Sequence, residues 1–410
     1  MLSLEEFRGI VPDQTLAEIY ARARGLYGKH IVHVNSTYMG GGVAEILYSL
    51  VMLMNDVGID TGWRILHGTP DFFEITKSFH NALQGAKINL TESKRELYLQ
   101  VNGNYSRFNH FDHDCVIVHD PQPLALIRSY RKRQPWIWRC HIDLTEPNAQ
   151  LWDFLTGFLL KYDQIVVSSE KYYKRDLPID QRLIHPAINP LNHKNIELPE
   201  KTVMEYIKKA GIPTDKPIIT QVSRLDPWKD PEGVLEVFKR VKEKVDCRLI
   251  FCYNLAGDDP EGVQMYTRTF RKAKTYVDKG DVMFVVGNND ILVNSIQKFS
   301  SVIIQKSTKE GFCLSVTEAL WKGTPVVASN VGGIPSQIDD GESGYLLDPY
   351  DIDGFADRII HILKNPNEAK GMGEKAKAKV RNEFLITRLL SDYLDMLNAV
   401  INGENRCNTI

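Results

Sequence analysis

Short apolar runs alternate with amphipathic stretches along the whole chain, and this alternation limits the fold more than any other feature. HIVHVNS (30–36) and the segments 58–68, 114–119, 136–142 and 164–168 are strand-like in the first half. The second half repeats the pattern at 217–222, 248–257, 281–287, 301–305 and in TPVVAS. Helical stretches separate them, among them Val43 to Asp56, 231–242, 260–277 and 290–299. Continuous apolar strands joined by helices predict parallel sheets covered on both faces. A chain of 410 residues exceeds what one hydrophobic core usually supports. The reading is α/β, with two doubly wound, Rossmann-like domains facing a central cleft. The Pro/Asn-rich HPAINPLN puts the linker near 186–199. The expected domains are 1–195 and 196–387, with a C-terminal helix at 388–410 packed back on the first.

The residues with chemistry gather where these strands end. In parallel sheets those ends converge on one crevice. The stretch from Glu310 to Asp348 runs from an acidic glycine turn through a helix, about Ser315 to Lys322, to a strand and the turn NVGGIP. Ser315-x-x-Glu318 has the form of a capping box, so Glu318 reads either as a helix cap or as a site acid. Gly332 and Gly333 suit either a close approach to an anion or a plain turn. The loop after strand 217–222 carries Ser223, Arg224, Asp226 and Lys229; the strand 248–257 leads to Asp258 and Asp259. Arg224 and Lys229 together can clamp a diphosphate, or can be two solvated charges. In the first half, Gly40, Gly41 and Gly42 follow a strand and open a helix, which outlines a phosphate or substrate cradle. Asp120, His141 and Asp143 follow two further strands and suit hydroxyl recognition.

Composition removes several function classes. Lys plus Arg number 50 against 52 Asp plus Glu, a net charge of −2 that gives no case for nucleic-acid binding. The six cysteines, at 115, 140, 247, 252, 313 and 407, form no CxxC pair, which argues against a zinc knuckle or disulfide scaffold. His110-x-x-His113 with His119-Asp120 offers zinc-type ligands, but at a spacing that matches no strong template. No GxSxG elbow and no GxGxxG fingerprint occurs. With no secretory leader and no apolar run of membrane-spanning length, a cytoplasmic enzyme without membrane partners is expected.

Three segments together, HVNSTYMGGGVAE, SRLDPWKD and EGFCLSVTEALWKGTPVVASNVGGIPSQI, resemble the retaining GT-B glycosyltransferases of family four. VHDPQPLAL and RCHIDLTEPN resemble the trehalose-forming branch of that family, whose members join a nucleotide-activated glucose to free glucose. The resemblance implies a nucleoside-diphosphate-glucose donor, a glucose acceptor and a homodimer. It implies no tightly bound cofactor, with Mg2+ acting at most on the donor diphosphate.

Residue by residue, it implies Arg224 and Lys229 on the diphosphate and Glu318 on the ribose. Glu310 and the backbone of Gly311, Phe312 and Cys313 would lie at the donor sugar. Gly41 and Gly42 would approach the diphosphate, and His141 would contact the sugar at the reacting centre. Asp120, Gln122 and Asp143 would serve acceptor or nearby hydroxyls. This chain has Ser223, Asp230 and Cys313 where glycine is common in the family. The alternatives are a sucrose, sucrose-phosphate or glycan synthase, a nucleotide-sugar epimerase or hydrolase, and a non-enzymatic binder of sugar nucleotides.

Overall fold

Parallel strands with buried apolar side chains frame each half of the chain. A computed structural model describes residues 2–254 and 260–403. Asp258, Asp259, Cys407 and the end of the expected 388–410 helix lie outside the described residues. The chain divides into two units, residues 1–187 with 385–410, and residues 188–384.

The first unit holds β1 (His30–Asn35), β2 (Asp60–Ile65), β3 (Cys115–His119), β4 (Trp136–Arg139), β5 (Gln164–Val167) and β6 (Asp180–Leu183). They form one sheet in the order β2-β1-β3-β4-β5-β6, parallel throughout. The central strands are buried along their length: β3 reads CVIVH and β4 reads WIWR, with every residue inside. Such strands need cover on both faces. Pro70–Leu83 and Ala149–Leu159 supply part of it through Phe72, Phe79, Leu151 and Leu155. Chain direction across the sheet reverses between β1 and β3, which opens a crevice at their carboxyl ends.

The second unit holds β7 (Ile218–Val222), β8 (Arg248–Tyr253), β9 (Val282–Val286), β10 (Val302–Gln305), β11 (Val326–Ser329) and β12 (Tyr345–Leu347). Their order is β12-β11-β10-β7-β8-β9, again parallel throughout. This is the doubly wound order, and its reversal lies between β7 and β10. Pro231–Lys242 and Ile352–Lys364 bury Val234, Phe238, Phe355 and Ile359 against the sheet.

The structure adds two elements that the sequence pattern does not mark and places the unit boundary elsewhere. The polar segment 91–114 contains a 17-residue helix, Glu92–Phe108, capped by the Thr91 side chain. Its buried residues are Tyr98 and Asn102 alone, so it has almost no apolar stripe to betray it. β6 reads DQRL, a polar strand at the sheet edge that carries no alternation. The unit boundary falls at 187/188 instead of 195/196. Residues 189–196 pack onto the second unit: Trp321 Nε1 donates to Asn195 O at 2.9 Å, and Asn294 Nδ2 donates to Ile196 O at 2.9 Å. The closing helix, Ile386–Asn402, lies with the first unit, where Arg22 Nε pairs with Asp395 at 3.0 Å and Asn398 donates to Arg22 O at 2.9 Å.

Candidate active site

In the second unit the charged residues sit at the reversal between β7 and β10. The chain leaves β7 through Ser223 and Arg224, and Asp226 caps a single turn, Pro227–Lys229. That turn aims Lys229 at Glu310, which follows β10, and the two form a close, largely buried ion pair. Ser307 Oγ donates to the same Glu310 oxygen at 3.2 Å. Burial opposes the charge on Lys229, but the carboxylates of Glu310 and Asp226 hold its ammonium above the usual lysine range. Burial raises the Asp226 carboxyl despite the cations beside it. Arg224 is more than half exposed and lies 3.6 Å from Asp226, so its guanidinium can swing to an incoming anion.

The residue after Lys229 has left-handed backbone: Asp230 has φ 45° and ψ 55°. Its carboxylate caps Pro231–Lys242 by accepting from Gly233 N at 3.0 Å, and it pairs closely with Lys306 at the end of β10. Lys306 is almost fully buried. Cys313 is the second such position, with φ 76° and ψ 76°, and it is the N-cap of Leu314–Trp321. Both residues therefore occupy conformations that glycine adopts at least cost. They are two of the places where the family resemblance implies glycine.

The capping-box reading of Ser315 and Glu318 is corrected. The helix begins one residue earlier than expected, and no side chain caps it. Ser315 Oγ lies 3.3 Å from Cys313 Sγ. Glu318 is buried and turned inward, where it accepts from Gln297 Nε2 at 3.3 Å and faces Lys194 at 4.0 Å. Beside it, burial pushes Lys322 down to about 7 against the attraction of Glu318, with Lys194 and Lys298 adding to the depression. Phe312 is buried against Phe384, and its carbonyl accepts from Gln337 Nε2. A Cβ on Gly333 would stand 2.8 Å from Gly311 O and 2.9 Å from Phe312 Cα. Gly333 thus seats the NVGGIP turn against the 311–312 loop.

In the first unit, Gly40 and Gly41 have φ 75° and 93°, and Gly41 is the N-cap of Gly42–Asp56. The loop before them exposes Tyr38 and Met39. Asp120, just past β3, also has left-handed backbone, with φ 61°. Its Oδ1 accepts from His141 N at 2.8 Å, and burial pushes its carboxyl up to about 7. Asp143 is buried, and its Oδ1 accepts from both the amide and the hydroxyl of Thr145, at 2.8 and 2.6 Å. Gln122 is fixed through its backbone, whose carbonyl accepts from Asn102 Nδ2 at 3.1 Å. Asp120 and His141 are thereby brought together, whereas Asp143 closes a local turn.

His141 is the outer end of a row that residue spacing did not reveal. His33 Nδ1 lies 2.9 Å from His119 Nε2, and His119 Nδ1 lies 3.0 Å from His141 Nε2. The signal available was three histidines at or near the ends of adjacent parallel strands. The zinc arrangement does not form: His113 precedes β3 and His119 ends it, and the His113 ring lies tilted against His30 with centroids 4.1 Å apart. Among the described residues no group of three or more His, Cys, Asp or Glu could hold a metal ion. Lys306 was also missed, because a lysine directly after an apolar strand reads as a solvated charge.

A family model described as the N-terminal domain of trehalose synthase matches residues 33–174, and one for group 1 glycosyl transferases matches 203–379. A trehalose synthase of Pyrococcus horikoshii is 44% identical over 401 residues, covering 97% of this chain and 96% of that one. This chain belongs to the trehalose synthase family. A trehalose synthase of Rubrobacter xylanophilus is 41% identical over 412 residues, covering 97% of each chain. A solved UDP-forming trehalose-phosphate synthase from Burkholderia xenovorans superposes on 91% of the chain and 99% of its own, with a TM-score of 0.74 at 14% identity. The fold is therefore GT-B, and the chain is a glycosyltransferase. No helix among the described residues is long and apolar enough to cross a membrane.

Proposed function

We propose that this protein transfers glucose, with retention, from a nucleoside-diphosphate glucose to free glucose, giving α,α-trehalose and the nucleoside diphosphate. The observation that carries the reading is the 44% identity to a trehalose synthase along nearly the full length of both chains. The geometry of the second unit supports the donor half. Arg224 and Lys229 stand at the strand reversal, where a diphosphate would lie, and neutralise the charge that grows as it leaves. Glu310 holds Lys229 charged and offers its carboxylate to sugar hydroxyls. The backbone of Gly311, Phe312 and Cys313 borders that sugar, and Glu318 meets the ribose. In the first unit, Gly41 and Gly42 approach the diphosphate, His141 meets the donor sugar, and Asp120, with Gln122, serves the acceptor.

The reaction breaks the bond from the anomeric carbon to the phosphate oxygen and forms one from that carbon to the acceptor hydroxyl on the same face. The acceptor proton passes to the departing phosphate oxygen. Neither step requires a covalent enzyme intermediate, unlike retaining hydrolysis by paired carboxylates. Mg2+ fits this scheme as a partner of the donor phosphates. Assembly as a homodimer rests on the family resemblance, and light scattering of the purified protein tests it.

The deciding experiment offers UDP-, ADP- and GDP-glucose with free glucose, glucose 6-phosphate or fructose, and reads products by chromatography and anomeric proton NMR. The expected product with free glucose is α,α-trehalose, with EDTA lowering the rate if phosphate-bound Mg2+ contributes. Absence of a disaccharide from free glucose overturns the reading. Rapid donor turnover without an acceptor points to hydrolysis instead.

A further inference from the structure

Three imidazoles cross the first unit's sheet at its strand reversal. His33 lies within β1, His119 ends β3, and His141 follows β4 by two residues. The rings of His33 and His119 have centroids 5.2 Å apart at 29°, and those of His119 and His141 5.3 Å apart at 16°. His33 and His119 are fully buried, whereas His141 is half-buried. Both links join ring nitrogen to ring nitrogen, at 2.9 and 3.0 Å.

This geometry restricts the protons. A neutral imidazole carries one N–H and one lone pair. Each link needs one donor and one acceptor, because two N–H groups clash and two lone pairs repel. Once one ring is set, the others follow. Either all three carry the proton on Nδ1, or all three carry it on Nε2. Protonation is disfavoured along the row by burial, and the buried Arg139 guanidinium adds positive charge near His119 and His141. The inner end of the row separates the two arrangements. Among the described residues the buried His33 Nε2 has no hydrogen-bond partner, and the Tyr393 ring centroid lies 5.9 Å from that of His33. In the all-Nε2 arrangement this atom is an orphaned donor, and in the all-Nδ1 arrangement it is a bare acceptor. Orphaned buried N–H groups are the rarer of the two.

We propose that His33 and His119 are positioning residues that hold His141 as its Nδ1–H tautomer, so that the His141 ring meets its ligand as a hydrogen-bond donor. His141 Nε2 is taken by His119, so Nδ1 is the nitrogen left for a ligand. As a donor it selects an acceptor oxygen, such as a sugar hydroxyl oxygen or a phosphate oxygen. It cannot act there as a base without shifting protons along all three rings. The row ends in the core at His33, with no continuation to solvent, so it serves as a lock and not as a proton path. The assignment of a sugar to His141 rests on the proposed glucosyl transfer, but the tautomer itself does not.

The test is 15N NMR of the full-length protein labelled at histidine, without ligand, from pH 6 to 8, with His141 assigned through H141Q. The expected spectrum shows His141 with a protonated Nδ1 and a bare Nε2 across the range. In H119N the amide nitrogen stands where Nδ1 stood, so His141 keeps its tautomer. In H119L the bond to Nε2 is lost and His141 shifts toward Nε2–H. With NDP-glucose and glucose, kcat falls at least tenfold in H119L and recovers severalfold in H119N. A protonated Nε2 on His141 in the native protein, an imidazolium at pH 6, or an unchanged tautomer in H119L overturns the proposal. If the protein proves inactive on NDP-glucose, the spectra still decide the tautomer, so the two ideas fail separately.

Discussion

Asp230 stands in left-handed backbone where the family resemblance implies glycine, and replacing it with glycine shows what the acid contributes. Its carboxylate has two partners, Gly233 N at 3.0 Å and the ammonium of Lys306. Only 2% of the Lys306 side chain is exposed, against 26% for Asp230. Removing one member of a buried pair costs about 3–5 kcal/mol, because the other charge is left buried. Glycine caps a helix nearly as well as Asp, so loss of the cap adds only a few tenths of a kcal/mol. The left-handed backbone favours glycine and returns about 1 kcal/mol. The net expectation for Asp230→Gly is a loss of about 3 kcal/mol, or some 6–12 °C in Tm for a unit of this size. Lys306→Met leaves the acid beside water and costs about 1 kcal/mol. The double variant removes both charges and should lie within about 1 kcal/mol of the parent. Thermal unfolding followed by circular dichroism, run on all four proteins, gives the coupling energy directly. A loss below about 1 kcal/mol in Asp230→Gly, or no recovery in the double variant, would refute the argument that Lys306 depends on Asp230.

Lys229→Ala and Glu310→Gln should each lower kcat with NDP-glucose by roughly 100-fold or more, since both act on charge that develops in the transition state; a loss confined to KM would place them in ground-state binding only. His33 has its imidazole pushed down to about 3 by burial, so the unfolded chain binds more protons than the folded one between about pH 3 and 6.5. Stability is then fully present above about pH 6.5 and is lost as pH falls, by about 2 kcal/mol at pH 5 from this ring alone. His119 and His141 add in the same direction. Urea unfolding at pH 7 and 5 checks it, and His33→Phe should flatten the slope. Cys313→Gly should stay within about 1 kcal/mol of the parent, as relief of the left-handed backbone offsets the lost side-chain burial, whereas Cys313→Val should lose about 2 kcal/mol or more. Gly333→Ala should raise the donor KM, because its Cβ would push on Gly311 O and Phe312 Cα, and a ligand-binding titration with NDP reads the change.

The parallel sheets were legible because strands buried on both faces are written as apolar runs, as in CVIVH and VVAS. The helix Glu92–Phe108 and the edge strand β6 were not, because each buries too little to mark its face. Arg224, Lys229, Glu310 and His141 stood out by their place after strands, and Glu318 by its place in the helix that follows. The partners that set their state did not. Lys306, His33 and His119 act through contacts between strands that are distant in sequence, and these follow from the strand order β2-β1-β3-β4 and the adjacency of β7 and β10. Residue type misled at Ser315 and Glu318, whose spacing matches a capping box although the helix starts at Leu314. The left-handed backbone at Cys313 moves that start and frees Glu318 to face Lys194.

The first unit is assembled from both ends of the chain, residues 1–187 and 385–410. Ile386–Asn402 buries Leu390, Tyr393 and Leu397 in it, and Tyr393 closes over His33. On the ribosome, therefore, the strands of the first unit emerge early but wait for their last helix until the second unit has been made. The second unit, contiguous from 188 to 384, can close on itself during that interval. A nascent chain released before residue 385 should carry a folded second unit, while its first unit lacks Leu390, Tyr393 and Leu397 from its core. The order of synthesis thus lets the contiguous unit close before the unit that draws on both ends of the chain.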